Sequence, residues 1–169
     1  MEKNRCINSS AKILMLALTI IVCQPALALA NKTAPEFQFQ AINTSETIHS
    51  RAYQGTVMLV NFWATWCPPC RKEIPSLIKL QNEFHDQGFT VIGISVDQDG
   101  NSGVKKFADK MGINYPVGQG STEIAKNFGP IAGIPASFLI NRKGDIVKSY
   151  PGYATHEQLK KDIEELINP

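Results

Sequence analysis

The chemistry of this 169-residue chain is concentrated in Cys67-Pro68-Pro69-Cys70. Two thiols this close can cycle between dithiol and disulfide, the exchange running by thiolate attack through a mixed disulfide. The same spacing is also half of a zinc site, which needs two further ligands. Cys6 and Cys23 fall in a leader described below, and His49, His85 and His156 are widely scattered, so no metal is expected at the pair. A structural staple is a poor account, because a bridge across two residues closes a tiny loop and constrains the unfolded chain little. A redox pair Cys67–Cys70 that needs no cofactor is the expectation.

The elements around the pair explain how it would be tuned. Thr56 to Phe62 is a near-continuous apolar run, the pattern of a strand buried on both faces. A helix follows the cysteines, with Ile74, Leu77, Ile78 and Phe84 at helical spacing and Gly88 as its stop. The cysteines therefore sit where a strand delivers the chain to a helix N-terminus, whose unpaired N–H groups and dipole stabilise a thiolate. Cys67 is expected to be the exposed nucleophile with a lowered pKa, and Cys70, a turn further in, the buried resolving thiol. Pro68 and Pro69 lack N–H groups and stiffen the turn where helix N–H groups have no partner anyway. Of Trp63 and Trp66, one is expected to shield the disulfide.

The remaining elements alternate. Phe37 and Phe39 have the alternation of a short strand, and Thr90–Val96 reads as a second buried strand. Residues 102–111 form a predicted helix bearing Val104, Phe107, Ala108 and Met111, followed by an edge strand at Tyr115-Pro116-Val117, since Pro116 cannot donate to a ladder. A short helix is predicted over Glu123–Phe128. Ala136–Ile140 and Ile146–Tyr150 flank Asn141-Arg142-Lys143-Gly144, which suits a β-turn. The last helix opens at Thr155 with Gln158 completing a capping box, and its apolar residues are Leu159, Ile163, Leu166 and Ile167. This order predicts an α/β domain built on a central mixed sheet flanked by helices.

Residues 1–30 read as a secretory signal: Lys3, Arg5 and Lys12 precede an apolar run from Ile13 to Cys23, and Ala28-Leu29-Ala30 supplies a cleavage pattern. The run is shorter than the ~20 residues a spanning helix requires. An uncleaved anchor is the rival reading, and either one places the domain, 31–169, outside the cytoplasm. Without its leader the chain has 14 basic and 14 acidic residues, a balance that gives no reason to expect nucleic acid or an anionic membrane as partner.

The string from Val60 to Pro75, VNFWATWCPPCRKEIP, resembles the active-site signature of TlpA/ResA-type thiol–disulfide reductases. These are extracytoplasmic thioredoxin-like proteins related to the CcmG/DsbE proteins of cytochrome c maturation. The resemblance spans about residues 34–167. Pro75 matches the kink proline of the active-site helix, Gly133-Ile134-Pro135 the cis-proline loop, and 102–117 the helix–strand insertion of the family. It implies a thioredoxin-like fold, a cis Ile134–Pro135 bond, a substrate surface at Trp66, Ile134 and Pro135, and Glu73 as an acid beside the dithiol. Asn61 stands where thioredoxin has a buried aspartate, a departure that agrees with the reductase branch. The family further implies reduction of disulfides in periplasmic proteins, apocytochrome c among them, with electrons from a membrane donor of DsbD/CcdA type; a monomer is expected. Three readings compete with it: a disulfide-donating oxidant, a peroxiredoxin-like peroxidase, and a non-catalytic thiol or metal binder.

Overall fold

A computed structural model describes residues 32–168, Ser45 and Asp99 excepted. The signal sequence expected over 1–30 lies outside the described residues. In chain order the elements are β1 (Lys32–Thr33), β2 (Gln38–Gln40), β3 (Thr47–His49), β4 (Val57–Trp63), α1 (Pro68–Phe84), β5 (Phe89–Ser95), α2 (Asn101–Met111), β6 (Val117–Gln119), α3 (Thr122–Phe128), β7 (Ala136–Ile140), β8 (Asp145–Pro151) and α4 (His156–Ile167).

β4 is buried at every position, because helices or further strands cover both of its faces. Its odd residues Val57, Leu59 and Trp63 join the core formed with α1, α2 and α4, whereas Met58, Val60 and Phe62 join a second core with Phe37, Phe39, Ile48 and Phe128. Asn61 has the parity of the first set, so a polar side chain is delivered into the core on the α1 side. The mixed sheet runs β1-β8-β7-β4-β5-β6, with β4 parallel to β5 and antiparallel to β7. β2 and β3 form a separate antiparallel pair. The fold is thioredoxin-like.

The expected edge strand is displaced by two residues: it runs over Val117–Gln119, with Tyr115 and Pro116 ahead of it. Pro116 has no N–H to contribute, yet its carbonyl accepts from Gly93 N–H at 2.9 Å, and regular pairing begins one residue later at Gly93 opposite Val117. The expected hairpin turn forms, with Gly144 at φ 87° and the Asn141 side chain accepting from the N–H groups of Lys143 and Asp145. The capping box at Thr155 and Gln158 is complete. α1 continues through Pro75, and after a 3-10 turn at His85–Gln87 the chain leaves at Gly88 in the left-handed conformation.

Gly118 in β6 permits the two sheets to meet. A Cβ there would lie 1.9 Å from Phe39 Cδ2, and Phe39 is buried and stacked on Phe37. Gly118→Ala is expected to cost about 1–3 kcal/mol through overpacking, read as a lowered midpoint in urea. An unchanged midpoint would mean that β2 moves away freely.

Candidate active site

Cys67 is the N-cap of α1, with Pro68 and Pro69 in its first turn. Its Sγ accepts the backbone N–H of Cys70 at 3.3 Å, so one helix N–H group left without a partner by the fold is aimed at this sulfur. That is the arrangement expected to stabilise a thiolate on Cys67. The pair is joined as a disulfide, with S–S 2.13 Å. Cys67 is only 3% exposed and Cys70 1%, so the expectation of an open Cys67 is corrected: in the disulfide form both sulfurs lie in the core cluster with Trp63 and Ile74. The Ile134 carbonyl oxygen stands 3.7 Å from Cys67 Sγ.

The Ile134–Pro135 bond is cis, and Pro135 is buried immediately before β7. The Pro135 carbonyl accepts Gly152 N–H at 2.8 Å, which ties this loop to the end of β8. The two tryptophans part company. Trp63 is buried, its ring 5.7 Å from that of Phe107, whereas Trp66 is 63% exposed. Trp63 is thus part of the buried cluster that also holds both cysteines, whereas the Trp66 ring stands on the surface.

Glu73 lies one turn beyond Cys70 on the buried face of α1 and is 1% exposed. Its Oε1 accepts Ala154 N–H at 2.8 Å and its Oε2 accepts Asn61 Nδ2 at 3.0 Å. Asn61 Nδ2 also donates to Ser137 Oγ at 2.9 Å. Burial raises the Glu73 pKa from 4.5 to about 7, against the opposing effect of those two hydrogen bonds. Burial and the Glu73 charge both push the Tyr115 hydroxyl pKa upward. Glu73 is thus a buried acid able to change protonation near neutral pH beside the dithiol.

Sequence reasoning missed three positions that hold this site. Ala154 and Ser137 belong to distant segments, and only their backbone or hydroxyl is used. Asp97, buried just after β5, accepts Thr65 Oγ1 at 2.6 Å, Thr65 N–H at 3.0 Å and Ser95 Oγ at 2.7 Å. It pins the turn that presents Cys67. The signal present in the sequence was Ser-x-Asp at the end of a buried strand, but nothing local names Thr65 as its partner. Asp97→Ala leaves those donors without an acceptor, so a loss of about 2–3 kcal/mol is expected in urea unfolding. Faster alkylation of Cys67 in the reduced variant should accompany it, and a rate equal to wild type would mean the turn holds itself.

Among the described residues no cluster of three or more His, Cys, Asp or Glu side chains could hold a metal ion.

Comparison with known proteins agrees with this geometry. The redoxin family matches residues 29–167. The thiol-disulfide oxidoreductase ResA of Halalkalibacterium halodurans is 33% identical over 145 residues, which is 85% of this chain and 80% of that protein. ResA of Bacillus subtilis is 31% identical over 136 residues, covering 80% and 74%. A crystal structure of a thioredoxin-family thiol:disulfide interchange protein from Chlorobium tepidum superposes with TM-score 0.76 at 31% identity, covering 82% of this chain and 97% of that one.

Proposed function

The chain belongs to the redoxin family and is a thiol–disulfide oxidoreductase of thioredoxin-like fold; we propose that within this family it is a reductant of protein disulfides outside the cytoplasm. Cys67 thiolate attacks one sulfur of a substrate disulfide, forming a mixed disulfide and releasing the first substrate thiolate. Cys70 then attacks Cys67 Sγ, forming the Cys67–Cys70 disulfide and releasing the second substrate thiol. Two electrons pass to the substrate, and a membrane dithiol donor of DsbD/CcdA type returns them. Apocytochrome c, with its paired haem-binding cysteines, is a proposed substrate. Trp66, Ile134 and Pro135 form the docking edge, and Glu73 accepts and returns a proton between thiol and substrate.

The observation that carries the direction is buried Glu73. Two influences on the thiolates oppose each other. The helix N-terminus at Cys67 stabilises a thiolate, and a stabilised thiolate makes a dithiol hard to oxidise, as in disulfide-donating oxidants. A carboxylate held in low dielectric beside the pair disfavours further negative charge, which weakens that stabilisation and makes the dithiol a better electron donor. Export rests on the basic leader, its short apolar run and Ala28-Leu29-Ala30. The test is equilibration of the protein with glutathione redox buffers. A potential below about −200 mV supports a reductant, and one near −120 mV, that of a strong oxidant, overturns the reading.

A further inference from the structure

A cleft of about 330 Å³ runs between the turn before Cys67 and helix α2, lined by Thr65, Trp66, Arg71, Val104, Phe107 and Lys110 among others. Trp66 is the most exposed large apolar side chain among the described residues. Arg71, the residue after Cys70, lays its guanidinium over Phe107, 5.7 Å from the ring centroid. Phe107 packs in turn on Trp63, so the cation rests on a wall continuous with the core. Among the described residues neither Arg71 nor Lys110 forms a salt bridge. The described acid of the cleft, Asp97, is occupied by Thr65 and Ser95. Lys72, next in sequence, holds its Nζ 5.0 Å from the centroid of the exposed Tyr153 ring.

With Asp97 engaged by Thr65 and Ser95, the remaining charged side chains described in the cleft, Arg71 and Lys110, are cationic and stand beside Trp66 and Phe107. A guanidinium braced on an aromatic ring keeps its donor fork oriented, and that fork matches a carboxylate. We propose that the cleft docks an acidic side chain flanking the target cysteine of a protein disulfide, Arg71 taking the carboxylate and Trp66 covering the adjoining chain. This rests on the reductase reading and adds the kind of segment that is reduced. The occupant is a protein segment because the exposed Trp66 face lies beside the carboxylate position, where an extended chain continues past its acidic residue.

The test uses one disulfide-closed peptide sequence with Glu, Gln or Lys beside the cysteine. Single-turnover rate constants with the reduced full-length protein are divided by each peptide's rate with 2-mercaptoethanol, which removes the peptide's own reactivity. The Glu peptide should exceed the Lys peptide by roughly tenfold at low ionic strength, and the ratio should shrink toward one in about 0.5 M salt. Arg71→Gln should bring the Glu-to-Gln ratio close to one, and Arg71→Lys should retain part of it. A ratio unchanged in Arg71→Gln overturns the proposal. So does a uniform slowing of all three peptides, which would make Arg71 a modifier of the thiols. Oxidised glutathione outpacing the Glu peptide with the same Arg71 dependence would make the cleft a small-molecule site and also overturn it. No exchange with any peptide would defeat the reductase reading itself, and the docking proposal with it.

Discussion

Serine at position 67 is expected to lower disulfide reduction by roughly 10³-fold or more, since a hydroxyl in the same place is not a competent nucleophile at neutral pH. Serine at position 70 should act differently. Attack by Cys67 persists, but nothing resolves the adduct, so a mixed disulfide accumulates and turnover stops after one event. The asymmetry follows from the N-cap geometry: Cys67 Sγ receives a helix N–H, whereas the Cys70 side chain points into the core from within the first turn. Non-reducing electrophoresis of both variants after mixing with insulin reads the difference. Adducts on Cys67→Ser and none on Cys70→Ser would exchange the two roles.

The second large effect concerns Glu73. Its carboxyl ionises near 4.5 in the unfolded chain and near 7 in the folded protein. The native state therefore holds the proton more tightly, and this contribution is complete below pH 4.5, declines as pH rises, and is gone above about 7. A rise of this size corresponds to a free energy on the order of 3 kcal/mol. Urea unfolding of the oxidised protein, whose cysteines do not titrate, should show that loss between about pH 4 and pH 7.5. Glu73→Gln should flatten the curve, because an amide does not ionise. Its oxygen can still accept Ala154 N–H, and its nitrogen is accommodated if Asn61 turns its carbonyl toward it. In the reduced protein the same variant removes a neighbouring negative charge, so thiolate absorbance should appear at lower pH and turnover should slow. Superimposable profiles would leave Glu73 a structural residue.

Much of this site was legible along the chain because it is local. The Cys67–Cys70 spacing, the apolar strand before it and the helix after it lie within one short stretch, the strand marked by its continuous apolar run and the helix by its 3.6-residue period. The Thr155 cap and the Asn141–Gly144 turn are local in the same way. The cis bond at Pro135 and the placing of Glu73 beside the dithiol came from family resemblance, which carries long-range arrangement that spacing does not. What remained hidden is pairing between distant segments. β1 is two residues long and acquires its identity only from Ile146 and Asp145 across the sheet. Asp97 meets Thr65, 32 positions away, and Glu73 meets Ala154, 81 away. The misplaced start of β6 has a simpler origin: Pro116 contributes a carbonyl to β5 without the N–H that would continue the ladder. The burial of Cys67 was equally hidden, because the residues of its core cluster come from elements distant in the chain.

The central claim is an ordered two-thiol exchange, and one measurement addresses it most directly. Reduced wild-type protein is mixed with insulin, quenched in acid at increasing times, and mapped by mass spectrometry. The account predicts a transient adduct on Cys67, followed by a Cys67–Cys70 disulfide formed with release of one equivalent of substrate dithiol. An adduct mapping to Cys70, or insulin disulfides that persist while the protein stays fully reduced, would contradict it.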